Sequence, residues 1–381
     1  MFLTSLQVQG YRCLADVGIA VRSPMVLIGP NGSGKTALLE IFTLLRDAAH
    51  ERLGEALGDR GGINDILFAG GAESLTIRTT AVVDNPPELE YTLEIGRRGV
   101  GYVIKSETLT QQRDPAKPTP HFYIQNSAGH CRYFDPNTKK LEAPTWEYKE
   151  FETALGQVPR MFREPAEFRR ALHDTRLYHD LDVSKRAIVR LPQELRPVSL
   201  PGPNGEDLYA ALYNLRTSDE GSFDRIQEAL RAAFPGFRKL EFPLVGSGQA
   251  TLAWYQEGFE RPFYPHQLSE GMLRFLWLAT ILLSPNLPPI TLIDEPEVSL
   301  HPELLMILAG LIREAATRTQ LIVATHADQL IRWMEPSEVV VVDKEEDRTR
   351  LTWADRLDLG NWLKKYTLDE LWLMGELGGR P

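Results

Sequence analysis

The hydrophobic pattern changes its period several times along the chain. Apolar residues first alternate with polar ones, at positions 6 and 8 and again at 17, 19 and 21, which predicts a β-hairpin. A continuous apolar run, MVLI at 25–28, predicts a buried strand. After a glycine-rich loop comes a predicted helix whose apolar face is formed by Leu38, Leu39, Phe42 and Leu45. The chain thus opens with a hairpin followed by strand, loop and helix.

The middle of the chain combines a second strand-rich region with a helical one. Between positions 75 and 134, short alternating segments are separated by turn signals such as Asn85-Pro86-Pro87, which predicts an antiparallel meander. From position 146 the apolar spacing becomes helical, and a stretch rich in proline and glycine follows at 192–205. We interpret 146–235 as a mostly helical insert that this stretch divides.

From position 240 onward, strands and helices alternate. Strands are predicted at 240–245, 250–255, 290–293, 321–324 and 339–342, and helices at 270–283 and from about 303. This order is typical of an α/β core with a parallel sheet. We therefore expect one discontinuous core formed by 1–145 and 236–345, interrupted by the insert at 146–235 and followed by a tail at 346–381.

Composition excludes several classes of protein. The 381 residues are 43% hydrophobic and 25% charged, which is typical of a globular protein and not of a disordered or fibrous one. Cys13 and Cys131 are the only cysteines, so a disulfide framework and a zinc site are excluded. The N-terminus lacks a signal-peptide pattern, and the longest apolar stretch, 275–283, is about half of what a bilayer requires. We expect a cytoplasmic protein that does not bind membranes.

A glycine-rich motif, GPNGSGKT, lies between the buried strand and the first helix. It fits GxxxxGK[ST], in which glycines let backbone N–H groups face phosphate oxygens at a helix N-terminus. Lys35 would reach the β- and γ-phosphates, and Thr36 would ligate Mg²⁺. The predicted nucleotide-binding residues are Gly29, Asn31, Gly32, Ser33, Gly34, Lys35, Thr36 and Ala37. The motif therefore predicts ATP and Mg²⁺ as cofactors.

Two carboxylates end the predicted strand at 290–293. Asp294 would help to hold Mg²⁺, directly or through water, and Glu295 would orient and deprotonate the attacking water. Such a pair also follows apolar strands by chance, but here it comes downstream of a phosphate loop. Since the carboxyl ends of parallel strands meet at one edge of a sheet, we expect both motifs to lie together.

Two further features lie at the ends of predicted elements. Ser269 is the expected N-cap of the helix at 270–283, which is either a plain helix start or an anion site made with Gly271. His326 follows the strand at 321–324, where a lone histidine is either structural or part of the site at the same sheet edge.

Taken in order, GPNGSGKT, LSEGM, LIDEPE and VATH resemble the Walker A, signature, Walker B and switch-histidine motifs of ABC-type ATPase heads. The opening LQVQGYRCL and the segments LSEGMLRFLWLA and DEPEVSLHP are similar to the RecF/OLD-like branch of these ATPases. The resemblance covers nearly the whole chain. It implies an α/β P-loop NTPase, an ABC-ATPase head with an antiparallel β subdomain and a helical insert.

The resemblance also implies a homodimer. Two heads of this family enclose two ATP molecules head to tail, so the signature residues Ser269, Glu270 and Gly271 would lie at the nucleotide of the other subunit, and the segment 298–301 would cross the dimer seam. Lys35, Glu295 and His326 would form the catalytic set, with Glu295 as general base and His326 as sensor of the γ-phosphate.

Two correspondences concern the base and the glutamine loop. Adenine contacts would fall near Tyr11 and Arg12. The family's glutamine-loop residue would be Gln157, which lies where the core meets the insert, with Gln125 as the alternative; either glutamine is equally compatible with a surface position.

Three departures from relatives limit the function. The interval of 233 positions from Thr36 to Ser269 is longer than transporter ATPases usually have, and it lacks the heptads of SMC-type coiled coils. About 55 residues follow His326, too few for the TOPRIM nuclease domain of OLD proteins. We therefore expect any nuclease to be a separate chain.

Three functions remain open at this point. The first is an ATP hydrolase whose nucleotide cycle controls DNA or a separately encoded effector, for example a nuclease in anti-phage defence. The second is a RecF-like DNA-repair ATPase, which would use a basic groove in this chain of net charge −10. The third is an ATP-bound assembly platform without hydrolysis. The basic groove of the second function would be formed by Arg160, Arg163, Arg169, Arg170, Lys185 and Arg186. The alternative interpretation of this segment is a solvated helix face.

Overall fold

A computed structural model describes residues 2–83, 87–114, 116–117, 119–159 and 161–378 of the chain. Asn85 and Pro86 of the predicted turn, and Arg160 of the predicted groove, lie outside the described residues. Two large sheets dominate the fold, one antiparallel and one mainly parallel. Among the described residues, no helix is both long and apolar enough to cross a membrane.

The first part of the chain contributes most of the antiparallel sheet. Its elements are β1 (Phe2–Tyr11), β2 (Leu14–Ala20), β3 (Met25–Ile28), α1 (Lys35–Ala49), α2 (Leu53–Asp59), α3 (Ile63–Ile66), β4 (Ser74–Val82), β5 (Leu89–Arg98), β6 (Gly101–Gln111), β7 (His121–Ser127), β8 (His130–Asp135) and β9 (Lys140–Glu142). Eight of these strands form one sheet in the order β2-β1-β4-β5-β6-β7-β8-β9, and all neighbours pair antiparallel. The predicted hairpin and meander are confirmed, and they belong to the same sheet.

The middle part is less separate than its helical spacing predicts. It contains α4 (Arg163–His173), β10 (Arg176–Tyr178), a 3₁₀ turn (Ile188–Arg190), β11 (Gln193–Glu194), α5 (Leu208–Ser218) and α6 (Glu220–Ala233). Helix α4 packs on α1, and β10 joins the core sheet as a parallel neighbour of a later strand. A strand of three residues is too short to show a period, so the pattern gave no sign of it. The domain bounds at 146 and 235 stay predictions.

The last part of the chain completes the core. Its elements are β12 (Phe237–Glu241), β13 (Leu244–Gly246), β14 (Gln249–Ala250), β15 (Ala253–Gln256), α7 (Glu270–Leu283), β16 (Ile290–Asp294), α8 (Pro302–Ala316), β17 (Gln320–Thr325), α9 (Asp328–Ile331), β18 (Val339–Glu345), β19 (Arg348–Trp353) and α10 (Leu368–Met374). Short 3₁₀ turns cover Pro265–Gln267, Pro336–Glu338 and Ala354–Arg356. The core sheet has the order β10-β16-β17-β3-β18-β19, and all its pairs except β18 with β19 are parallel.

Burial of the central strands explains their sequence. Every residue of β3, β16 and β17 is buried, because helices or the antiparallel sheet cover both faces of the core sheet. One hydrophobic cluster contains α5 to α8, and the other joins α1 to the antiparallel sheet. The two clusters hold the core sheet between them and fix the edge at which its parallel strands end.

Candidate functional site

The carboxyl ends of four parallel strands meet at one edge of the core sheet. The pairing register sets Ile28 opposite Thr325, and Ala324 opposite Asp294. On the outer side, Tyr178 of β10 lies opposite Ile293. The phosphate loop, the carboxylate pair and the histidine of the sequence analysis therefore lie together, as the motif order predicts.

The loop between β3 and α1 is too crowded for side chains at two glycines. A Cβ at Gly29 would lie 2.1 Å from the carbonyl oxygen of Val342. Gly34 has a φ of 113°, and a Cβ there would lie 2.5 Å from Oγ1 of Thr349. Thr349, which sequence reasoning missed, also donates a hydrogen bond to the carbonyl of Ser33 (2.7 Å). Strands β18 and β19 thus hold the loop from outside.

The start of α1 suits an anion. Gly34 is its N-cap, no side chain caps it among the described residues, and its first turn carries no acidic residue. Asn31, Gly32 and Thr36 are exposed, whereas Ser33, Lys35 and Ala37 are buried. The loop therefore presents backbone, a hydroxyl and a lysine to the space above the sheet edge.

Lys35 is buried at the centre of the loop, with 4% of its surface exposed. Its Nζ donates to the carbonyls of Gly29 (2.6 Å) and Pro30 (3.0 Å) and lies 3.2 Å from Nδ1 of His326. Burial lowers the pKa of Lys35 to about 8, although three nearby carboxylates act in the opposite direction. A phosphate group would provide this desolvated ammonium with a direct anionic partner.

His326 connects Lys35 with Glu295. Its Nε2 lies 3.1 Å from Oε1 of Glu295. Because the ammonium of Lys35 donates to Nδ1, we assign the ring proton to Nε2, which then donates to Glu295. The three residues predicted as catalytic are therefore joined in one hydrogen-bonded chain.

Glu297 positions the histidine loop, a role that sequence reasoning missed although the residue belongs to the quoted motif. Its Oε1 accepts hydrogen bonds from the backbone N–H groups of His326 (2.9 Å) and Ala327 (3.1 Å). Its Oε2 is buried and has no hydrogen-bond partner among the described residues. Glu295 itself has a φ of 51° and donates its N–H to the carbonyl of Ala324 (2.8 Å). Strand β17 thus fixes both ends of the turn.

Asp294 is buried at the end of β16, and its Oδ2 lies 3.2 Å from Nδ1 of His179. Burial raises the pKa of Asp294, and the neighbouring imidazole acts in the opposite direction. His179 follows the short strand β10 and was missed by sequence reasoning for the same reason as that strand. The described part of the chain holds no group of three metal-ligating side chains. One carboxylate and the Thr36 hydroxyl, completed by phosphate oxygens and water, fit the way Mg²⁺ is usually held.

The signature residues lie at the start of α7, where Ser269 is the helix N-cap. Ser269 caps α7, and its Oγ accepts a hydrogen bond from the N–H of Met272 (3.2 Å). A Cβ at Gly271 would lie 2.7 Å from the carbonyl oxygen of Ser299, so the segment 298–301 packs on the start of α7. Ser269, Glu270 and Ser299 are exposed. Their contact with a second subunit's nucleotide stays a prediction.

The two candidates for the glutamine-loop residue, Gln157 and Gln125, have local contacts and do not lie at the edge of the core sheet. Gln157 donates from Nε2 to three carbonyls, of Lys149, Glu152 and Thr153, and its Oε1 accepts from the N–H of Lys149 (2.7 Å). Gln125 lies in β7, in the middle of the antiparallel sheet. The amide of Gln157 therefore holds the turn at 149–153, and His179 is the residue beside Asp294.

The structure also shows how accessible the two residues predicted near the adenine are. Tyr11 has no exposed surface, and its hydroxyl donates to Glu40 (2.8 Å), so its ring is not accessible to a base. Arg12 pairs with the same carboxylate (2.7 Å), and 38% of its side chain is exposed. The prediction is corrected for Tyr11, while a contact from Arg12 stays a prediction.

The structure shows what the residues predicted to form the basic groove contact. Arg169 donates to the carbonyls of Gly156 (2.9 Å) and Val158 (3.0 Å), so its guanidinium holds the chain internally. Arg163 pairs with Glu167, and Arg170 is largely exposed beside Asp174. Lys185 and Arg186 are exposed on the segment after β10. Arg163, Arg169 and Arg170 nevertheless line one cavity on α4 together with two acidic residues, Glu167 and Asp174. A DNA-binding groove on this face therefore stays a prediction.

Comparison with known proteins gives the family. Residues 25–332 match the model of the family described as "AAA domain, putative AbiEii toxin, Type IV TA system". No curated protein matches the chain. The chain is similar in fold to an SMC head solved bound to the C-winged helix domain of ScpA, at 14% identity and a TM-score of 0.56, with 96% of this chain and 100% of that one covered. It is likewise similar to the SMC head from Pyrococcus furiosus solved with the C-terminal domain of ScpA, at 12% identity and a TM-score of 0.54, with the same coverage.

The family model covers the phosphate loop, the signature, the carboxylate pair and the histidine, which is most of the chain and all of its motifs. The SMC heads share the overall fold of this chain. This protein belongs to the AAA-domain family of ABC-type P-loop ATPases.

Proposed function

We propose that this protein is an ATP hydrolase that closes as a homodimer around two ATP molecules and uses the nucleotide cycle to control a separately encoded effector or DNA. The observation that carries the proposal is the contact chain from Lys35 through His326 to Glu295. It puts a phosphate-binding cation, a sensor and a general base within hydrogen-bond reach of one another.

Each residue of the edge has a defined task in this proposal. Lys35 and the N–H groups at the start of α1 bind the phosphates, and Thr36 with Asp294 holds Mg²⁺. Bound Mg²⁺ neutralises charge on the β- and γ-phosphates. Glu295 accepts a proton from the attacking water, and His326 orients that carboxylate through its Nε2 proton.

The dimer is supported by the place of the signature surface. Ser269, Glu270 and Gly271 are not joined to Lys35 by any hydrogen bond or ion pair found among the described residues, and Ser269 and Glu270 are exposed. A helix start with a serine and a glycine is a ready anion site. A second copy, placed head to tail, would bring this surface to the phosphates.

The output is proposed to reach a partner protein. The SMC heads of the same fold were solved with a domain of ScpA, so this fold can carry a partner chain. The family description names a toxin and a toxin–antitoxin system, which agrees with a role in defence. DNA has weaker support, because Arg169 of the predicted groove is engaged internally.

Glu295→Gln tests the proposal. The amide cannot accept the proton of water, so hydrolysis is expected to fall by about 100-fold to 10,000-fold, with ATP binding retained. Sedimentation velocity should show an ATP-dependent dimer. Glu142→Gln, at an exposed position of β9 in the antiparallel sheet, is the matched control and should behave as the unmodified chain. A Glu295→Gln protein that stays monomeric with saturating ATP contradicts the dimer, and one that still hydrolyses ATP contradicts the assigned base.

A further inference from the structure

Helix α7 carries one charged residue in its buried part. All residues from Leu273 to Leu283 are buried, and Arg274 is the only charged one in this fully described stretch. A guanidinium in an apolar environment lowers stability unless it is paired and hydrogen-bonded. The Arg274 guanidinium therefore needs a hydrogen-bonded partner, and the inference below depends on which residue that is.

The partner is the chain that follows β10. Arg274 donates to Oδ1 of Asp180 (2.6 Å) and to the carbonyl of Leu181 (3.2 Å). Its Nε is buried and has no partner among the described residues, so the hydrogen bonds found for this guanidinium all go to the chain at 180–181. Asp180 itself is 64% exposed, which means that the carboxylate is not held there by burial. Arg274 thus fixes the start of residues 179–190, which we name the bridge segment.

His179 directly precedes Asp180 in the chain and lies at the nucleotide-binding edge of the core sheet. The parallel register of β10 with β16 brings His179 beside Asp294, where its Nδ1 lies 3.2 Å from Oδ2. Consecutive residues of the bridge segment therefore contact the proposed Mg²⁺ ligand and the signature helix.

The far end of the bridge segment returns to the same helix. Arg190 donates to the carbonyls of Pro265 (2.6 Å) and Leu268 (3.0 Å), and its Nε donates to Val183 (2.8 Å) within the segment. Leu268 directly precedes the helix cap Ser269. The segment is thus hydrogen-bonded to both sides of the signature start, by Arg274 on one side and by Arg190 on the other.

We propose that the bridge segment couples Asp294 to Ser269, so that binding of Mg²⁺ and ATP at one head changes the order of that head's own signature start. Arg274 and Arg190 are positioning residues, because they act through the segment and do not contact the site. The proposal rests on the proposed function for its ligand. Its effect is coupling within one chain, and this coupling strengthens the dimer wherever a dimer forms.

The test uses the Glu295→Gln chain at concentrations where sedimentation shows a monomer. Hydrogen exchange of the amides at 265–275 is measured with and without Mg²⁺ and ATP, and ATP affinity is measured by calorimetry. ATP is expected to slow exchange at these amides. In Asp180→Asn and in Arg190→Gln this response should be lost, while ATP affinity stays within about threefold, since neither residue contacts the site.

Dimerisation at higher concentration is the second measurement. Loss of the coupling should raise the dissociation constant of the ATP-dependent dimer by about 5-fold to 150-fold, the usual range for coupled sites. Asp182→Asn makes the same change two positions along the segment, where the carboxylate accepts from the N–H of Ser184, and should change neither measurement. Asp180→Glu keeps a carboxylate for Arg274 and should restore the exchange response.

The outcomes separate the two proposals. If Asp180→Asn and Arg190→Gln keep the full exchange response to ATP, the coupling proposal is wrong. It is also wrong if exchange at 265–275 becomes fast without ATP and ATP affinity falls in parallel, because the segment is then only structural. If the exchange response is present and lost as expected but the parent never dimerises, coupling stands and the proposed dimer fails.

Discussion

Two carboxylates, Glu107 within the antiparallel sheet and Glu297 at the edge of the core sheet, show how the two regions of this molecule differ. Glu107 lies inside the antiparallel sheet, and its oxygens accept from the Tyr91 hydroxyl (2.9 Å) and from the N–H groups of Ala154 (2.6 Å) and Leu155 (2.8 Å). Glu297, at the edge of the core sheet, uses one oxygen for the histidine loop and leaves the other buried without a partner in the described chain.

The difference separates groups that hold the fold from groups that are ready for a ligand. Burial raises the pKa of Glu107, and the donors around it act in the opposite direction, so its bonds stay within the protein. At the core-sheet edge, Lys35 has carbonyls and an imidazole as partners but forms no ion pair among the described residues. We expect a carboxylate whose bonds all stay within the protein to respond to mutation through stability, and the edge of the core sheet to respond through ligand binding.

The largest effect is expected for Lys35→Ala. Removing a buried ammonium from a phosphate group should weaken ATP binding by about 100-fold or more. The free energy of unfolding should change little, because the charge is desolvated in the free protein. Calorimetry with ATP and thermal unfolding measure the two quantities. Lys344→Ala removes an exposed lysine that pairs with Asp347 and serves as control. If both variants bound ATP equally well, Lys35 would not be a phosphate ligand, and the core-sheet edge would not differ from the antiparallel sheet in this way.

Glu107→Gln should have the opposite signature. The amide NH₂ would face a backbone N–H that needs an acceptor, so the free energy of unfolding should fall by about 1–3 kcal/mol. ATP affinity should not change, because the residue belongs to the other sheet. Denaturant unfolding measures the loss, and Glu142→Gln, exposed in β9 of the same sheet, is the control. A weakened ATP site in the folded Glu107→Gln protein would show that the two regions are not independent.

The smallest expected effect is a dependence of ATP affinity on pH. It tests the desolvation of Lys35. Lys35 has a pKa of about 8, lowered by burial, so it is charged below that pH and loses its proton above it. ATP favours the charged form, so its affinity should fall by about fourfold between pH 7 and pH 8.5, and binding should take up a proton in that range. Calorimetry in buffers of different ionisation enthalpy detects this uptake. An affinity that rises with pH would exclude Lys35 as the phosphate ligand.

The sequence predicts the parts of this site that are local. The phosphate loop needs Gly29 and Gly34 at fixed places between a strand and a helix, and Asp294 directly ends an apolar strand. Period-two alternation likewise reveals the hairpin and the meander, since one face of each strand is buried. These features depend on residues close together in the chain, and all of them were found.

Other features depend on contacts between distant residues. His179 reaches Asp294 because a three-residue strand pairs with β16, and three residues carry no period. Gln157 bonds to main-chain carbonyls, which no side-chain pattern reveals. Tyr11 is aromatic and next to Arg12, but its burial against Glu40 is decided by packing. Motif reasoning therefore identifies the residues at the sheet edge that we propose to bind the phosphates, but not the groups that position them.

The order of strands in the core sheet has a consequence for synthesis of the chain. Strand β3 emerges from the ribosome early, but both of its neighbours, β17 and β18, lie near the other end. About 290 residues must be translated before the first of them is available, which takes roughly 15–60 s at usual rates. During that time the apolar segment MVLI has no partner strand on either side. The nucleotide site is therefore completed only after these roughly 290 residues have been made, and the unpaired apolar strand is open to aggregation during that time.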